Sequence, residues 1–364
     1  MPFRIILGDI TKLRVDAIVN TANTELLMGA GVCGAVFSAA GADRLHEACS
    51  KIAPIKTGEA VITSGFDLHA KYIIHTAGPV YHDGKQGEET LLRSSYTNSL
   101  ELAAKHGCES IAFPLISSGV YGYPKAEALR VASDAIRDFI TNREGDDGFD
   151  IDVSLVIFDK ATFVVGGELL GAVESYVGEH YVQEEHTERR GPPDVERKAS
   201  YNEGVMNLGA PMHGPKPSPK LRPKPSKTPI AEAAVFVAEQ TSYKLDDLVG
   251  NLDEPFSAML LQLIDATGKK DAEVYRRANI DRRLFSKIRS NANYAPSKPT
   301  VLAFAVALEL SIDQTADLLG RAGFALSRSR LFDVIVEFFI KSRKYDIFRI
   351  NEVLFNYDQP LLGG

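Results

Sequence analysis

Two stretches of this chain have residue types and spacing suited to holding an anion. The first is Val19-Asn20-Thr21-Ala22-Asn23, followed after five residues by Gly29-Ala30-Gly31-Val32-Cys33-Gly34-Ala35. Residues this small let backbone N–H groups approach a phosphate, and a helix opening at Gly34–Ala35 adds its dipole. The second is Phe113-Pro114-Leu115-Ile116-Ser117-Ser118-Gly119-Val120-Tyr121-Gly122, where two hydroxyls and two glycines suit phosphate oxygens and Tyr121 offers an aromatic face to a sugar. Asp9 lies in Leu7-Gly8-Asp9-Ile10-Thr11 and Phe158 in Val156-Ile157-Phe158-Asp159. Each sits at the end of an apolar run, where open α/β sheets bind ligands. Asp9 alone could equally cap a turn. Gly29-x-Gly31-x-x-Gly34 also spells a dinucleotide fingerprint, but the chain between Asn20 and Gly29 is too long for the tight strand-to-helix turn that motif needs.

The elements that must position these loops are legible as hydrophobic patterns. Near-continuous apolar runs predict strands at Phe3–Leu7, Ala17–Asn20, Ala60–Ser64, Tyr72–Ala77, Ser110–Pro114 and Asp152–Phe158. Helical spacing predicts helices at Ala35–Ala39, Ala42–Lys51, Thr90–His106, Lys125–Asn142 and Phe163–Tyr181. Such alternation is that of a three-layer α/β/α unit over residues 1–182. Residues 183–229 break the pattern. Nine of the eighteen prolines fall there, in a basic Pro-Lys tract that reads as a semi-rigid linker, with a nucleic-acid- or adaptor-binding tail as its rival. Residues 230–364 read as a separate all-α domain, with helices at Phe256–Asp265, Asp271–Ala278, Arg282–Ser290, Lys298–Leu310, Ile312–Ala322 and Leu331–Ser342.

Composition narrows the class. The 364 residues are 45% hydrophobic and 24% charged, and no apolar run approaches the length of a membrane span. The N-terminus lacks a secretory pattern, and three dispersed cysteines (Cys33, Cys49, Cys108) without a CxxC argue against a disulfide framework or a zinc site. The expectation is a cytoplasmic protein with no membrane partner, no metal and no cofactor. Net charge is −11 over residues 1–254 and +4 over residues 255–364, which suggests different partners for the two halves. Glu88-Glu89 and Asp146-Asp147 read as solvated loops, and His69, His75, His82 and His106 as structural.

Taken in this order and spacing, and with Ile74-His75-Thr76-Ala77-Gly78-Pro79 in mid-domain, the N-terminal motifs resemble the macrodomain family over about residues 1–182. The resemblance implies a mixed sheet between helices, with ADP-ribose or an ADP-ribosylated substrate in a cleft at the strand ends. It further implies that Asp9 accepts from the adenine amino group with help from the Ile10 backbone, and that Phe158 stacks on adenine. Asn23 would hold the distal ribose. Gly29, Gly31 and Val32 would line the distal ribose and diphosphate, and Ser117, Gly119, Val120 and Tyr121 would clasp the diphosphate and ribose. Hydrolases of the MacroD type in this family place an acid in the glycine loop and a His one helical turn later, while some related macrodomains lack the acid and use the substrate's phosphate to activate water. Counted from Asn23, those positions hold Cys33 and Phe37, and neither is suited to proton transfer. Two readings stay open. One is a hydrolase of mono-ADP-ribosyl or O-acyl-ADP-ribose linkages, with Asn23 as its catalytic residue. The other is a non-catalytic sensor that regulates the helical half. Cys33 as a nucleophile competes with Cys33 as a buried, inert thiol.

In the helical half, two short helices joined by a turn at Ala278–Ile280, the second capped by Asp281, form a helix-turn-helix pattern. Residues 256–323 resemble the Cro/CI-type repressor fold. Leu284 and Ile288 are expected to face its core, and Arg282, Arg283, Lys287 and Arg289 to face outward as nucleic-acid candidates. DNA or a protein could be the partner of residues 256–364.

Overall fold

The computed structural model describes residues 2–141, 150–181 and 254–363. The Pro-Lys tract expected as a linker, and Asp146-Asp147, lie outside the described residues. Six strands, β1 (Phe3–Leu7), β2 (Ala17–Ala22), β3 (Ala60–Ser64), β4 (Tyr72–Ala77), β5 (Ser110–Pro114) and β6 (Asp152–Ile157), form one sheet in the order β1-β6-β5-β2-β4-β3. All pairs are parallel except β3 with β4, so the sheet is mixed. Successive residues of the inner strands point to opposite faces, as the pleat requires. Ile18 and Ile73 pack with Val36, Phe37 and Leu45 of α1 (Val32–Ala40) and α2 (Ala42–Ser50). Val19 and Ile74 pack with Leu92, Tyr96 and Leu129 of α3 (Glu88–Lys105) and α4 (Lys125–Thr141). This double burial explains why the strands read as continuous apolar runs. A fifth helix, α5 (Gly167–His180), starts later than its apolar pattern predicted. A 3-10 turn at Lys160–Thr162 precedes it, and the run from Phe163 into Gly166-Gly167 supplies poor helix formers.

The C-terminal residues form α6 (Phe256–Thr267), α7 (Asp271–Arg277), α8 (Arg282–Ser290), α9 (Lys298–Ala307), α10 (Ile312–Arg321), α11 (Leu331–Lys341) and α12 (Ile347–Asn356). Phe285 and Ile288 are the buried residues of α8, while Leu284 is only half-buried. Phe285 rather than Leu284 meets the rings of Tyr275 and Phe304.

These helices do not stand apart from the sheet. One continuous apolar core runs from β1, α4 and α5 into α6–α12, and residues 1–184 and 253–364 form a single compact unit. Phe3 of β1 stacks on Phe348 of α12 with ring centroids 5.2 Å apart, and Tyr176 of α5 meets Phe338 of α11 at 5.4 Å. Arg137 and Asp134 of α4 pair with Asp346 at 2.8 Å and Arg349 at 3.1 Å. The edge of β1 that faces away from β6 is met by Asn279. Its carboxamide accepts from the Phe3 N–H at 2.5 Å and donates to the Phe3 carbonyl at 2.9 Å, taking the place of a neighbouring peptide. Asn279 sits at φ +55, in the turn between α7 and α8, and is 2% exposed. The chain end is bracketed in the same way: Asn351 accepts from Leu362 N–H at 2.7 Å and donates to its carbonyl at 3.0 Å. Such contacts, almost three hundred residues apart in the chain, leave no local pattern.

Candidate functional site

A cleft of about 350 Å3 opens at the C-terminal ends of the central strands. The loop after β2 forms one wall. Asn23 brackets Leu27, donating to its carbonyl at 2.9 Å and accepting from its N–H at 3.0 Å. This turns the chain toward Gly29–Gly31. Gly34 must lack a side chain there, because a Cβ would lie 2.6 Å from the Gly29 carbonyl oxygen. Gly31, at φ +63, precedes α1, and no side chain caps that helix end. The first-turn N–H groups therefore lack a side-chain partner beside the cleft.

The loop after β5 forms the other wall. Ser118 Oγ donates to the Leu115 carbonyl at 2.8 Å. Ser117 takes a left-handed φ of +62, and its hydroxyl is buried with no partner among the described residues. A non-glycine residue held in that conformation with an unsatisfied buried oxygen marks a place where the fold accepts strain. Gly78, following β4, makes room for it, since a Cβ at 78 would overlap Ser117 Oγ.

Eight of the expected ligand contacts line this cleft: Asn23, Gly29, Gly31, Val32, Ser117, Gly119, Val120 and Tyr121. Asp9, Ile10 and Phe158 are not part of its lining. They follow the adjacent parallel strands β1 and β6, where Gly8 N–H donates to the Ile157 carbonyl at 2.9 Å. Asp9 caps a 3-10 turn at Ile10–Lys12, accepting from the Thr11 hydroxyl at 2.7 Å and the Thr11 N–H at 3.0 Å. The Thr11 hydroxyl, more than the Lys12 ammonium, holds the Asp9 carboxyl below the usual carboxylate range. Phe158 is 77% exposed, its ring free for a planar partner.

Beneath the first wall lies a buried polar chain. Asn20 Nδ2 lies 3.1 Å from His75 Nδ1 and 3.8 Å from Cys33 Sγ, and Thr63 Oγ1 lies 2.9 Å from His75 Nε2. Burial pushes the His75 imidazole down to about 4, so it is neutral at pH 7. Burial pushes the Cys49 thiol up to about 11, aided by the neighbouring Cys33. Cys33 touches the cleft but is 4% exposed, and Phe37 is buried in the core under α1. No carboxylate or imidazole lines the cleft among the described residues. Nor do any three His, Cys, Asp or Glu side chains among them gather to hold a metal ion, and no helix among the described residues is long and apolar enough to cross a membrane.

Glu88, expected in a solvated loop, is 2% exposed and accepts four backbone N–H groups, from His82, Asp83, Gly84 and Gln86. Nothing in the local pattern separates it from its exposed neighbour Glu89. Gly78 and Tyr81 also belong to the site's framework and went unassigned, although the His75–Pro79 motif points to that strand end.

The sequence signature of the macro domain matches residues 19–132. A macro domain-containing protein of Chlorobaculum tepidum is 52% identical over 138 residues, covering 38% of this chain and 80% of that protein. This chain belongs to the macro domain family. The O-acetyl-ADP-ribose deacetylase of Escherichia coli is 50% identical to the macrodomain over 141 residues, 38% of this chain and 79% of that enzyme. A solved Oceanobacillus iheyensis macrodomain with ADP is 39% identical, covering 47% of this chain and 90% of that one, with a TM-score of 0.41. Each match spans less than half of this chain.

The nucleic-acid candidates Arg282, Arg283, Lys287 and Arg289 are all exposed. Arg282 and Arg283 border a groove with Glu109, Asp150, Asp152 and Asp281, and Arg289 pairs with Asp271.

Proposed function

We propose that this macrodomain binds ADP-ribose, or the ADP-ribosyl group of a modified substrate. The diphosphate lies between the two loops, the distal ribose against Asn23, and the adenine between Asp9 and Phe158. The observation that carries this reading is the start of α1, which no side chain caps, facing the Ser117–Tyr121 loop across one cleft. Its first-turn N–H groups offer hydrogen bonds that no side chain takes and phosphate oxygens can. Hydrolysis of an O-acyl-ADP-ribose ester is the finer reading, supported by the 50% identity to a deacetylase of that substrate. With no carboxylate or imidazole lining the cleft among the described residues, a phosphate oxygen of the ligand takes the proton of the attacking water. Asn23 acts by orientation, through the one amide hydrogen and the one lone pair that Leu27 leaves it. Titration calorimetry of the full chain with ADP-ribose, then incubation with O-acetyl-ADP-ribose and with an ADP-ribosylated protein, tests both. Absence of binding refutes the proposal, and binding without product leaves a sensor.

The sensor reading has one observation in its favour. Asp9 stands at the end of β1, and the open edge of β1 is held by Asn279 of the helical half. For that half we infer a protein partner rather than DNA, despite its helix-turn-helix-like order of helices. A duplex approaching Arg282 and Arg283 also meets Glu109, Asp150, Asp152 and Asp281, whose charges oppose phosphate. Fluorescence anisotropy with duplex DNA at low salt checks this, and salt-dependent binding lost on replacing the four basic residues would restore the DNA reading.

A further inference from the structure

The stretch from His82 to Gly87 is exposed at every residue and buries no side chain, yet it is folded. Its order comes from below. Glu88 Oε1 accepts the N–H groups of His82 at 3.2 Å, Asp83 at 3.4 Å and Gly84 at 3.3 Å, and Oε2 accepts that of Gln86 at 2.7 Å. The carboxylate sits in the first turn of α3, where the helix dipole also favours a negative charge. Burial pushes this carboxyl up, but the backbone donors of Glu88 itself, Gln86, His82 and Asp83 outweigh it and bring it down to about 2.

The ordered stretch leans on the cleft. Tyr81 N–H donates to the Tyr121 carbonyl at 2.9 Å, and the Tyr81 and Tyr123 rings meet with centroids 4.9 Å apart. Tyr123 N–H in turn donates to the Ser117 carbonyl at 3.0 Å. The link therefore runs from Glu88 through Tyr81 to the loop that carries Ser117, Gly119, Val120 and Tyr121.

We propose that Glu88 is a positioning residue for the ligand: its carboxylate fixes the 81–87 segment, which holds the second cleft loop in the shape that receives the diphosphate and distal ribose. The proposal rests on the ADP-ribose reading. Glu88 touches no ligand, so its effect falls on the diphosphate and distal-ribose end and spares the adenine end at Asp9 and Phe158, which follow β1 and β6 outside the cleft lining. Glu88→Gln keeps the volume but turns an N–H donor toward the backbone donors.

The test compares the full chain with its E88Q variant by titration calorimetry against ADP-ribose and against AMP, which lacks the distal ribose and the second phosphate. E88Q is expected to lose roughly ten-fold or more in affinity for ADP-ribose, the scale of one lost hydrogen bond to a charged group, with AMP affinity changed by less than about two-fold. Equal losses for both ligands would reduce Glu88 to general support of the fold, and no loss for either would remove the role altogether. If E88Q does not fold, Gly84→Ala serves instead. Gly84 is at φ +75, and a Cβ there would come 3.2 Å from Tyr81 Oη, straining the same segment from outside the core. The same asymmetry between ligands is expected, and its absence overturns the proposal. A wild-type chain that binds neither ligand sinks the ADP-ribose reading and this role with it. A wild-type chain that binds ADP-ribose beside an E88Q chain that binds it equally well sinks the positioning role alone.

Discussion

Replacing Asn279 by Ala should remove a large part of the stability of the whole chain. The side chain makes two short bonds to the backbone of Phe3, at 2.5 and 2.9 Å, and a longer one to the Leu362 carbonyl at 3.4 Å. With Asn279 2% exposed and Phe3 1% exposed, water has no ready route to the groups left behind. Two orphaned buried backbone groups cost about 1–3 kcal/mol each. Ala at φ +55 adds about 1–2 kcal/mol that Asn tolerates better. The expected loss is about 3–8 kcal/mol, against the 5–15 kcal/mol typical of a folded protein. Asn279→Gly separates the two causes, since it loses the bonds without the strain and should recover about 1–2 kcal/mol. Urea unfolding of the full chain, followed by circular dichroism, gives the midpoint and slope for each variant. Because both halves share one core, the wild type should unfold in one transition. A loss below about 1 kcal/mol in N279A, or a wild type that unfolds in two separate steps, would refute the reasoning.

Asp9→Ala should weaken ADP-ribose binding by about 1.5–3 kcal/mol, the range for a hydrogen bond to a charged group, and unchanged affinity in a folded variant would remove the adenine contact. Asn23→Ala should free Leu27 and lower turnover of any ADP-ribosyl ester more than it lowers binding. Single-turnover assays at saturating ligand check this, and a defect confined to affinity contradicts it. His75 stays neutral in the fold down to about pH 4, while the unfolded chain protonates it near 6.5. Its contribution is therefore complete above pH 6.5 and falls as pH drops toward 4. Wild-type stability should lose about 2–3 kcal/mol between pH 7 and 4.5 from this group, a loss absent in His75→Gln. Equal pH slopes for the two proteins would show that His75 is not the group responsible.

The sheet was legible because strands buried on both faces write uninterrupted apolar runs, and the predicted strand ends fall within two residues of the observed ones. The cleft loops were legible because phosphate-sized approach demands small residues in clusters. Other features leave a misleading trace or none. Glu88 and Glu89 look alike in sequence, yet one is buried under a loop and the other pairs with Arg130 on the surface. The last helix was not delimited because Asn351 and Glu352 interrupt its apolar period. Both are buried, one holding Leu362 and the other paired with Arg349. The docking of the helical half was invisible for the same reason. It depends on single polar side chains meeting backbone far away in the chain.

The carboxamide of Asn279 has one more consequence. An outer strand with a free row of N–H and carbonyl groups invites pairing with another extended segment, whether a peptide or a second copy of the same protein. At Phe3, the first residue of β1, that row is already taken by a side chain that offers no onward ladder. Strand addition at that end of β1 is thereby blocked, which leaves the opposite margin of the sheet, at β3, whose residues Ala60–Ser64 pair with another strand on one side only.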